Sequence, residues 1–325
     1  MAGKISVVMT SLKEMTYRRS SGPQARPEIF LSVVINTHNE ADMLPRVAAS
    51  VKDLASEVVV IDMESTDGSS EVARKLGAKV FTHRKLDYVE PARNFGISKA
   101  TGDWILILDP DEEAPPSLAK EIREIVKKDK VDYCRIPRKN IVFGKWLKHS
   151  RWWPDYNIRL FRKGHVSWNE AIHSVPMTTG TGLDLPEKEE LAIVHHHYDS
   201  IDQYIDRMKR YTSQQVKIKL AENYKFSWKD LVGKPVDEFL SRYFFGEGYK
   251  DGVHGLAVSL LQGFSELVLY LKLWQVEKFT DEDISVLKVI SEMSSKEKDV
   301  HFWQNDALYK ETGNLTARIK RKLRI

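Results

Sequence analysis

Residues 104–113 read WILILDPDEE, a run of five apolar residues that ends in a cluster of carboxylates. A short apolar run bounded by charge predicts a buried β-strand. Carboxylates that leave a buried strand together repel one another unless a cation neutralises them, and Mg²⁺ or Mn²⁺ suits such oxygen ligands. The stretch therefore predicts a divalent metal site with Asp109 and Asp111 as ligands. An acidic turn that caps the following helix is the alternative.

This strand belongs to a series in which strands and helices alternate. Three other apolar runs predict strands, namely FLSVVI at 30–35, EVVVID at 57–62 and AKVFTH at 78–83. Helical spacing predicts helices over 70–76 and 91–100, and a third that starts near 115. Such alternation predicts an α/β fold in which a mostly parallel sheet carries helices on both faces.

The chain divides into three predicted segments. Residues 15–28 are polar, basic and interrupted by glycine and proline, with too little apolar surface to offset the entropy lost on ordering. We therefore interpret 1–28 as a tail or linker, 29–215 as the α/β catalytic domain and 216–325 as a helical region.

Composition narrows the classes of function. The 50 Lys and Arg residues against 46 Asp and Glu leave a net charge of only +4, which argues against a general nucleic-acid binder. The single cysteine, Cys134, excludes an intramolecular disulfide framework and a cysteine-based zinc site. We find no secretory signal pattern, and we expect a cytoplasmic protein.

The C-terminal region has two features that are typical of membrane-surface proteins. The apolar stretch at 256–276 is too often interrupted for a transmembrane helix, by Ser259, Gln262, Ser265, Glu266 and Lys272. Residues 318–325 place five basic residues among apolar ones. Together they predict peripheral docking on the inner face of the membrane. A helix packed on the catalytic domain, followed by a solvated tail, is the alternative.

Polar clusters follow two more of the predicted strands, NTHNE at 36–40 and DMESTDG at 62–68. The carboxyl ends of parallel strands meet at one edge of a sheet, where open α/β sheets bind ligands. We expect both clusters to line one crevice with Asp109. Taken singly, Asn39 and Asp67 could also cap helices, and Gly68 could close a turn.

Four of these segments, in this order, resemble the motifs of glycosyltransferase family 2, whose members have the GT-A fold. They are Asn39-Glu40, Asp62 with Ser65-Thr66-Asp67-Gly68, Ala92-Arg93-Asn94-Phe95-Gly96 and Asp109-Pro110-Asp111. The resemblance covers residues 30–200 and implies a metal-dependent enzyme that uses a nucleotide sugar.

The resemblance implies roles for the matching residues. Contacts to the uridine or its ribose fall to Thr37, Glu40 and Asp62, contacts to the diphosphate and donor sugar to Arg93 and Asn94, and the metal to Asp111. Asn39 and Asp109 join the donor-binding set. The chain departs from many members at Met63, where a second aspartate is common, so a nucleotide other than uridine stays open.

Further blocks resemble the lipopolysaccharide-core β-glucosyltransferases of the family, and they extend the likeness to about residue 276. They occupy 152–155, 159–162, 195–201, 210–212 and 248–255. In GT-A enzymes a histidine after the D-x-D motif often completes the metal shell, and His195 is the matching residue. Strand alternation predicts that His195 and His197 share a face and that His196 points to the other.

An inverting transfer needs a base beside the acceptor hydroxyl. The segment 168–174 (WNEAIHS) resembles a family stretch with a His-Glu pair, but Ser174 replaces that glutamate. Glu170 is our first candidate for the base, His173 the second and Asp155 the third.

The sequence thus predicts an inverting glycosyltransferase that needs Mg²⁺ or Mn²⁺ and moves a sugar, a hexose by expectation, from a UDP-linked donor to a glycan or lipid-linked acceptor in cell-envelope polysaccharide synthesis. One rival is a sugar-phosphate nucleotidyltransferase, but residues 36–42 lack the glycine-rich phosphate loop such an enzyme needs. The other is an inactive nucleotide-sugar binding module. It would be expected to lose carboxylates that this chain keeps.

Overall fold

A computed structural model describes residues 30–86, 89–168 and 176–324 of the chain. Its main sheet has the strand order β3-β2-β1-β4-β8-β6-β12-β5, with β7 and β11 also paired to β6. Strands β9 and β10 form a separate antiparallel pair. The strands are β1 Leu31–Thr37, β2 Glu57–Asp62, β3 Lys79–Thr82, β4 Trp104–Leu108, β5 Glu112–Glu113, β6 Tyr133–Val142, β7 Lys145–Trp146, β8 Asp155–Arg162, β9 Val166–Ser167, β10 Met177–Thr178, β11 Gly182–Asp184 and β12 Ile193–Tyr198.

Helices cover the sheet and make up most of the chain after residue 200. They are α1 Leu44–Val51, α2 Ser69–Lys75, α3 Glu90–Lys99, α4 Pro116–Lys128, α5 Ile201–Ala221, α6 Trp228–Leu240, α7 Gly252–Val276, α8 Val286–Thr312 and α9 Leu315–Leu323. A π-helical turn at Ser241–Phe245 and short 3₁₀ turns at Glu189–Leu191 and Gly248–Asp251 complete the list.

The first half of the sheet is parallel and is buried on both faces. Strand β1 pairs in parallel with β2 and β4, and every residue of β1 is buried. Side chains alternate across it, so Val33 and Ile35 join a core with α1 and α4, whereas Val34 packs on the other face with α3. The predicted α/β fold with helices on both faces is confirmed.

The second half of the sheet mixes strand directions. Strand β8 runs antiparallel to both β4 and β6, while β12 runs parallel to β6. Charged and aromatic residues interrupt the apolar runs in this half of the sheet. Strand β6, for example, buries Cys134, Ile136 and Val142 but also carries two arginines, one lysine and one asparagine between them.

The C-terminal helices pack around α7. Helices α5 and α6 lie on either side of it, and α8 lies beyond α6. A Cβ atom at Gly263 of α7 would lie 2.8 Å from the carbonyl oxygen of Pro235 in α6, so glycine permits this close approach. The predicted domain limit at 215–216 falls inside the continuous helix α5, and the proposed division of the chain stays a prediction.

Candidate active site

The ends of β1, β2 and β4 meet at one edge of the sheet. Thr37 lies opposite Asp62, and Leu108, the last residue of β4, lies opposite Ile35. The polar clusters that follow these three strands are therefore neighbours, as the sequence led us to expect. The edge gathers Thr37 to Glu40, the turn after Asp62, and Asp109 to Glu112.

Predicted donor residues tie the first two strand ends together. The Oδ1 atom of Asn39 accepts a hydrogen bond of 2.7 Å from the Thr66 N–H, and the Asn39 N–H donates to Ser65. Asp62 accepts from the Ser65 N–H at 3.2 Å and from the Ser70 hydroxyl at 2.7 Å. These bonds tie the turn after Asp62 to the end of β1.

Glu40 is held by two hydrogen bonds at the end of β1. Its Oε2 atom accepts from the Thr37 hydroxyl at 3.0 Å and from the His38 N–H at 3.2 Å. Burial raises the pKa of Glu40 to about 7, and the charges of Asp111 and Asp109 add to the effect despite those two hydrogen bonds. The charges of Asp109 and Asp111 therefore disfavour a further negative charge on Glu40.

Asp109 is neutralised by arginines. Its carboxylate accepts from Arg93 at 2.9 Å and from the buried Arg159 at 2.7 Å. Burial would raise the pKa of Asp109, but the charges of Arg159 and Arg93 outweigh it and hold the pKa far below its ordinary value. With both oxygens bound to arginines, Asp109 is placed to orient Arg93, and its predicted role as a metal ligand stays a prediction.

Asp111 and His195 face each other, with 3.5 Å between Asp111 Oδ2 and His195 Nε2. Burial works to raise the pKa of Asp111, but His195 and Arg207 outweigh it and keep the pKa well below its usual range. Strand β5, which follows Asp111, pairs with β12, and His195 lies opposite Glu112 in that pairing. This strand pairing brings the two residues together.

Asn140 orients the imidazole of His195. Its Oδ1 atom lies 2.6 Å from His195 Nδ1, and its Nδ2 atom donates to the Trp152 carbonyl at 2.9 Å. Because the second bond fixes the amide, Nδ1 of His195 donates to Asn140 and Nε2 faces Asp111. A histidine that binds a metal is commonly held by such a second hydrogen bond.

The three histidines lie as strand alternation predicts. The ring centroids of His195 and His197 are 4.5 Å apart, whereas His196 contacts Glu113 on the other side of the strand. Burial, with the nearby charges of His195 and Arg207, lowers the pKa of His197 to about 2, so its ring is neutral at physiological pH.

These residues fit a divalent metal only in part. Within 30–86, 89–168 and 176–324, no three His, Cys, Asp or Glu side chains are grouped to hold a metal ion. Asp111 and His195 do offer an oxygen and an oriented nitrogen to one point. Mg²⁺ and Mn²⁺ bound with a nucleotide usually take few protein ligands and complete their shell with phosphate oxygens and water. The pair fits that arrangement.

Asn94 is engaged elsewhere. Its two side-chain polar atoms bond the backbone of Trp168, and the ring of Trp168 lies under the guanidinium of Arg93 at 5.7 Å. Asn94 thus anchors the chain at the end of β9, where the segment with the first two candidate bases begins. Its predicted contact with the donor stays a prediction.

Two of the three candidate bases, Glu170 and His173, lie outside the described residues. The third, Asp155, accepts hydrogen bonds from Arg138 and Asn140. Burial would raise the pKa of Asp155, but the charge of Arg138 and these bonds hold it below its ordinary value. Asp155 thus holds Arg138 and Asn140 in place, and the choice among the three candidate bases stays a prediction.

Five further residues belong to this site by their contacts. Glu112 is fully buried and pairs with two arginines, Arg159 at 2.5 Å and Arg138 at 3.2 Å. A buried charge must be paired, so an arginine in the apolar strand segment NIRLF was a usable signal. The positions not assigned from sequence are Glu112, Arg138, Asn140, Arg159 and Arg207.

The block at 248–255 anchors the loop between β7 and β8. The carboxylate of Asp251 accepts from the backbone N–H groups of Lys148 at 3.1 Å and His149 at 2.9 Å. In addition, the Ser150 N–H donates to the Gly246 carbonyl at 2.7 Å. This loop carries Trp152, whose carbonyl fixes Asn140. The helical region is therefore joined directly to the candidate site.

Comparison with known proteins identifies the family. The model described as glycosyl transferase family 2 matches residues 32–179. The uncharacterized glycosyltransferase RT0209 of Rickettsia typhi is 31% identical over 252 residues, which make up 75% of this chain and 86% of that protein. The chain belongs to glycosyltransferase family 2. An uncharacterized glycosyltransferase of Rickettsia bellii is 28% identical over 283 residues, which cover 83% of this chain and 96% of its own.

Two solved structures are among those similar to this chain. Staphylococcus aureus TarS 1–349 is 14% identical and covers 75% of this chain and 92% of its own, with a TM-score of 0.40. The glucosyl-3-phosphoglycerate synthase of Mycobacterium tuberculosis, crystallised with Mn²⁺ and UDP-glucose, is 20% identical, covers 34% of this chain and 44% of its own, and has a TM-score of 0.31. The predicted family is confirmed, and the lipopolysaccharide-core branch stays a prediction.

Proposed function

We propose that this family-2 glycosyltransferase moves a sugar, with inversion, from a nucleotide diphosphate to a hydroxyl of a glycan or glycolipid. The observation that carries the proposal is the pair of Asp111 and His195 at the sheet edge, beside the ends of β1 and β2. An oriented imidazole and a carboxylate meet there at the place where an α/β sheet binds its ligand.

Different residues at the sheet edge contact the nucleotide, the diphosphate and the metal in this proposal. Thr37, Asn39, Glu40 and Asp62 form the nucleotide side, with UDP as the favoured nucleotide. Arg93, fixed by Asp109, presents a guanidinium to the diphosphate. Asp111 and His195 would hold Mg²⁺ or Mn²⁺, which as a Lewis acid would offset the charge that develops on the departing diphosphate.

Attack on the anomeric carbon comes from the face opposite the leaving group. Glu170, or His173 in its place, accepts the proton of the acceptor hydroxyl while the new bond to oxygen forms and the bond to the diphosphate breaks. A single displacement of this kind inverts the configuration of the anomeric carbon.

A nucleotide-sugar screen tests the proposal. Ligands that bind the native state raise its melting temperature, so the effective donor should stabilise the protein when Mg²⁺ or Mn²⁺ is present. Nuclear magnetic resonance of the product then gives its anomeric configuration, and Asp111→Asn serves as the variant that loses metal-dependent binding. Binding without turnover on any acceptor supports an inactive binding module, and release of pyrophosphate from a nucleoside triphosphate supports a nucleotidyltransferase.

We also propose that the acceptor is presented at the cytoplasmic face of a membrane, as expected for a lipid-linked glycan of the cell envelope. In the described part of the chain, the segment Gly248–Val276 is the one helical stretch long and apolar enough to cross a bilayer, and core helices of soluble proteins share that property. One face of α7 packs on α5 and α6, while Val253, Leu256, Leu260 and Phe264 are exposed. Exposed apolar side chains on one helix face suit partial immersion in a lipid surface.

A further inference from the structure

Arg207 of helix α5 contacts the proposed metal ligand directly. Its Nη2 atom donates to Asp111 Oδ2 at 2.9 Å, and this is the same oxygen that lies 3.5 Å from His195 Nε2. Arg207 keeps only 14% of its side-chain surface exposed, and its guanidinium lies 5.4 Å from the centre of the Tyr198 ring. The contact is therefore sheltered from solvent and is not a surface ion pair.

Arg207 and a metal ion would compete for this oxygen. A divalent ion binds a carboxylate oxygen at roughly 2 Å, so an ion on Asp111 Oδ2 would lie close to the guanidinium. Two positive charges at such a distance repel strongly where little water screens them. Asp111 alone can neutralise either Arg207 or the metal ion, and it can accommodate both only if a further negative group binds.

A nucleotide diphosphate would bring that charge. A guanidinium has five N–H donors in a planar fork that matches phosphate oxygens. Among the described residues, Asp111 is the carboxylate with which Arg207 forms an ion pair, so most of the donors on Arg207 remain available for oxygens of a ligand. Arg207 lies on the long helix α5, four residues after Gln203 of the first turn, so its backbone is held rigidly.

We propose that Arg207 is an exchangeable partner of Asp111. Before a diphosphate binds, Arg207 pairs with Asp111. Once a diphosphate is bound, Arg207 pairs with the diphosphate and leaves Asp111 to the metal. The inference rests on the proposed function of the site. It makes metal binding depend on nucleotide binding, because the metal displaces Arg207 at low cost only when a phosphate is there to receive it.

The test is a titration of Mn²⁺ followed by electron paramagnetic resonance, without nucleotide and with UDP. In the wild type we expect weak Mn²⁺ binding without UDP and tight binding with it. Arg207→Ala should bind Mn²⁺ about 10-fold more tightly without nucleotide and should bind UDP about 10-fold more weakly in the presence of Mn²⁺, as expected from loss of a charge-assisted hydrogen bond. Arg210→Ala, an exposed arginine on the same helix, is the matched control and should behave as wild type.

Arg207→Lys keeps the charge without the fork, and covers the case in which the alanine variant does not fold. It should bind Mn²⁺ alone as weakly as the wild type and lose part of the affinity for UDP. Unchanged Mn²⁺ and UDP affinities in both folded variants overturn the inference, as does weaker Mn²⁺ binding without nucleotide in Arg207→Ala. A wild-type protein that binds neither Mn²⁺ with UDP nor Mn²⁺ with pyrophosphate overturns the proposed function instead, and the inference with it.

Discussion

The side-chain amide of Asn94 grips the backbone of Trp168 at two points. Its Nδ2 atom donates to the Trp168 carbonyl at 2.6 Å, and its Oδ1 atom accepts from the Trp168 N–H at 2.9 Å. The grip fastens helix α3 to the residue that precedes the segment with Glu170, and it places the Trp168 ring against Arg93. An asparagine of the motif expected to bind the donor is thus bonded to the backbone next to the segment that carries the proposed base.

Replacing Asn94 should therefore harm turnover more than donor binding. Asn94→Ala removes two hydrogen bonds from a partly buried backbone, and we expect a loss of about 1–3 kcal/mol in the free energy of unfolding. The kcat should fall while the Kd for UDP stays unchanged, measured by calorimetry. Weaker UDP binding at unchanged stability would instead support a direct contact with the donor, as the family resemblance implies.

A second prediction concerns the residue that orients His195. Without the Asn140 amide, the imidazole can turn or adopt the other tautomer, so Asn140→Ala should weaken Mn²⁺ binding about 10–100-fold in the presence of UDP. Because Asn140 lies behind His195, UDP binding in the absence of metal should not change. The prediction is wrong if Mn²⁺ affinity survives the substitution while His195→Ala abolishes it.

The sequence could predict features that depend on residues close along the chain, but not contacts between residues far apart in it. The parallel half of the sheet was predictable because its strands are apolar runs with helical spacing between them, and the strand ends around Asp62 and Asp109 follow from that topology. Arg159 and Arg207 were not assigned, because Arg159 reaches Asp109 from β8 and Arg207 reaches Asp111 from helix α5, both far along the chain. Local patterns carry no record of such partners.

The third prediction addresses the proton acceptor. Glu170→Gln should keep donor binding and lose turnover by about 10²–10⁴-fold, the usual contribution of a general base. The substitution keeps the shape of the side chain, so the thermal shift with UDP and metal should equal that of the wild type. Near-normal turnover would transfer the role to His173, and Asp155→Asn then decides whether the third candidate takes part.

A fourth prediction concerns stability at the opposite edge of the sheet. Burial by itself raises the pKa of Glu57, but hydrogen bonds from Lys79, Ser32 and Thr101 outweigh it and lower the pKa to about 2. A carboxyl with a lowered pKa stabilises the fold above its unfolded pKa, and that contribution is lost as the pH falls from about 5 towards 2.

Glu57→Gln should therefore cost on the order of 2 kcal/mol in the free energy of unfolding at neutral pH, and much less at pH near 3. Urea denaturation of both proteins at the two pH values measures the difference. A gap between variant and wild type that stays constant with pH would mean that packing, and not the charge of Glu57, stabilises this edge.

The last prediction is that the C-terminal region binds anionic lipid through two surfaces. On α7 the exposed apolar side chains include Leu260 and Phe264, with about half of each side chain's surface accessible (54% and 47%). On α9 the exposed Leu315, Ile319 and Leu323 alternate with basic residues. Three arginines in this segment contact Asp306 or aromatic rings of α8. An apolar face with cations beside it suits the boundary between headgroups and acyl chains.

Liposome co-sedimentation separates the two contributions. The double variant Leu260→Glu/Phe264→Glu and a truncation after Gly313, which removes α9 and leaves α8 whole, should each lower the fraction bound to anionic vesicles. Leu76→Glu/Met177→Glu is the matched control, because both side chains are exposed and apolar but belong to the predicted catalytic domain. Binding should weaken at high salt, since the cations act through a screened field.

An intact chain that stays in the supernatant with anionic vesicles at low salt contradicts peripheral docking, and a soluble acceptor then becomes the better hypothesis. If the control variant loses the same bound fraction, any added negative charge weakens vesicle binding. That result would contradict the α7 face as the contact.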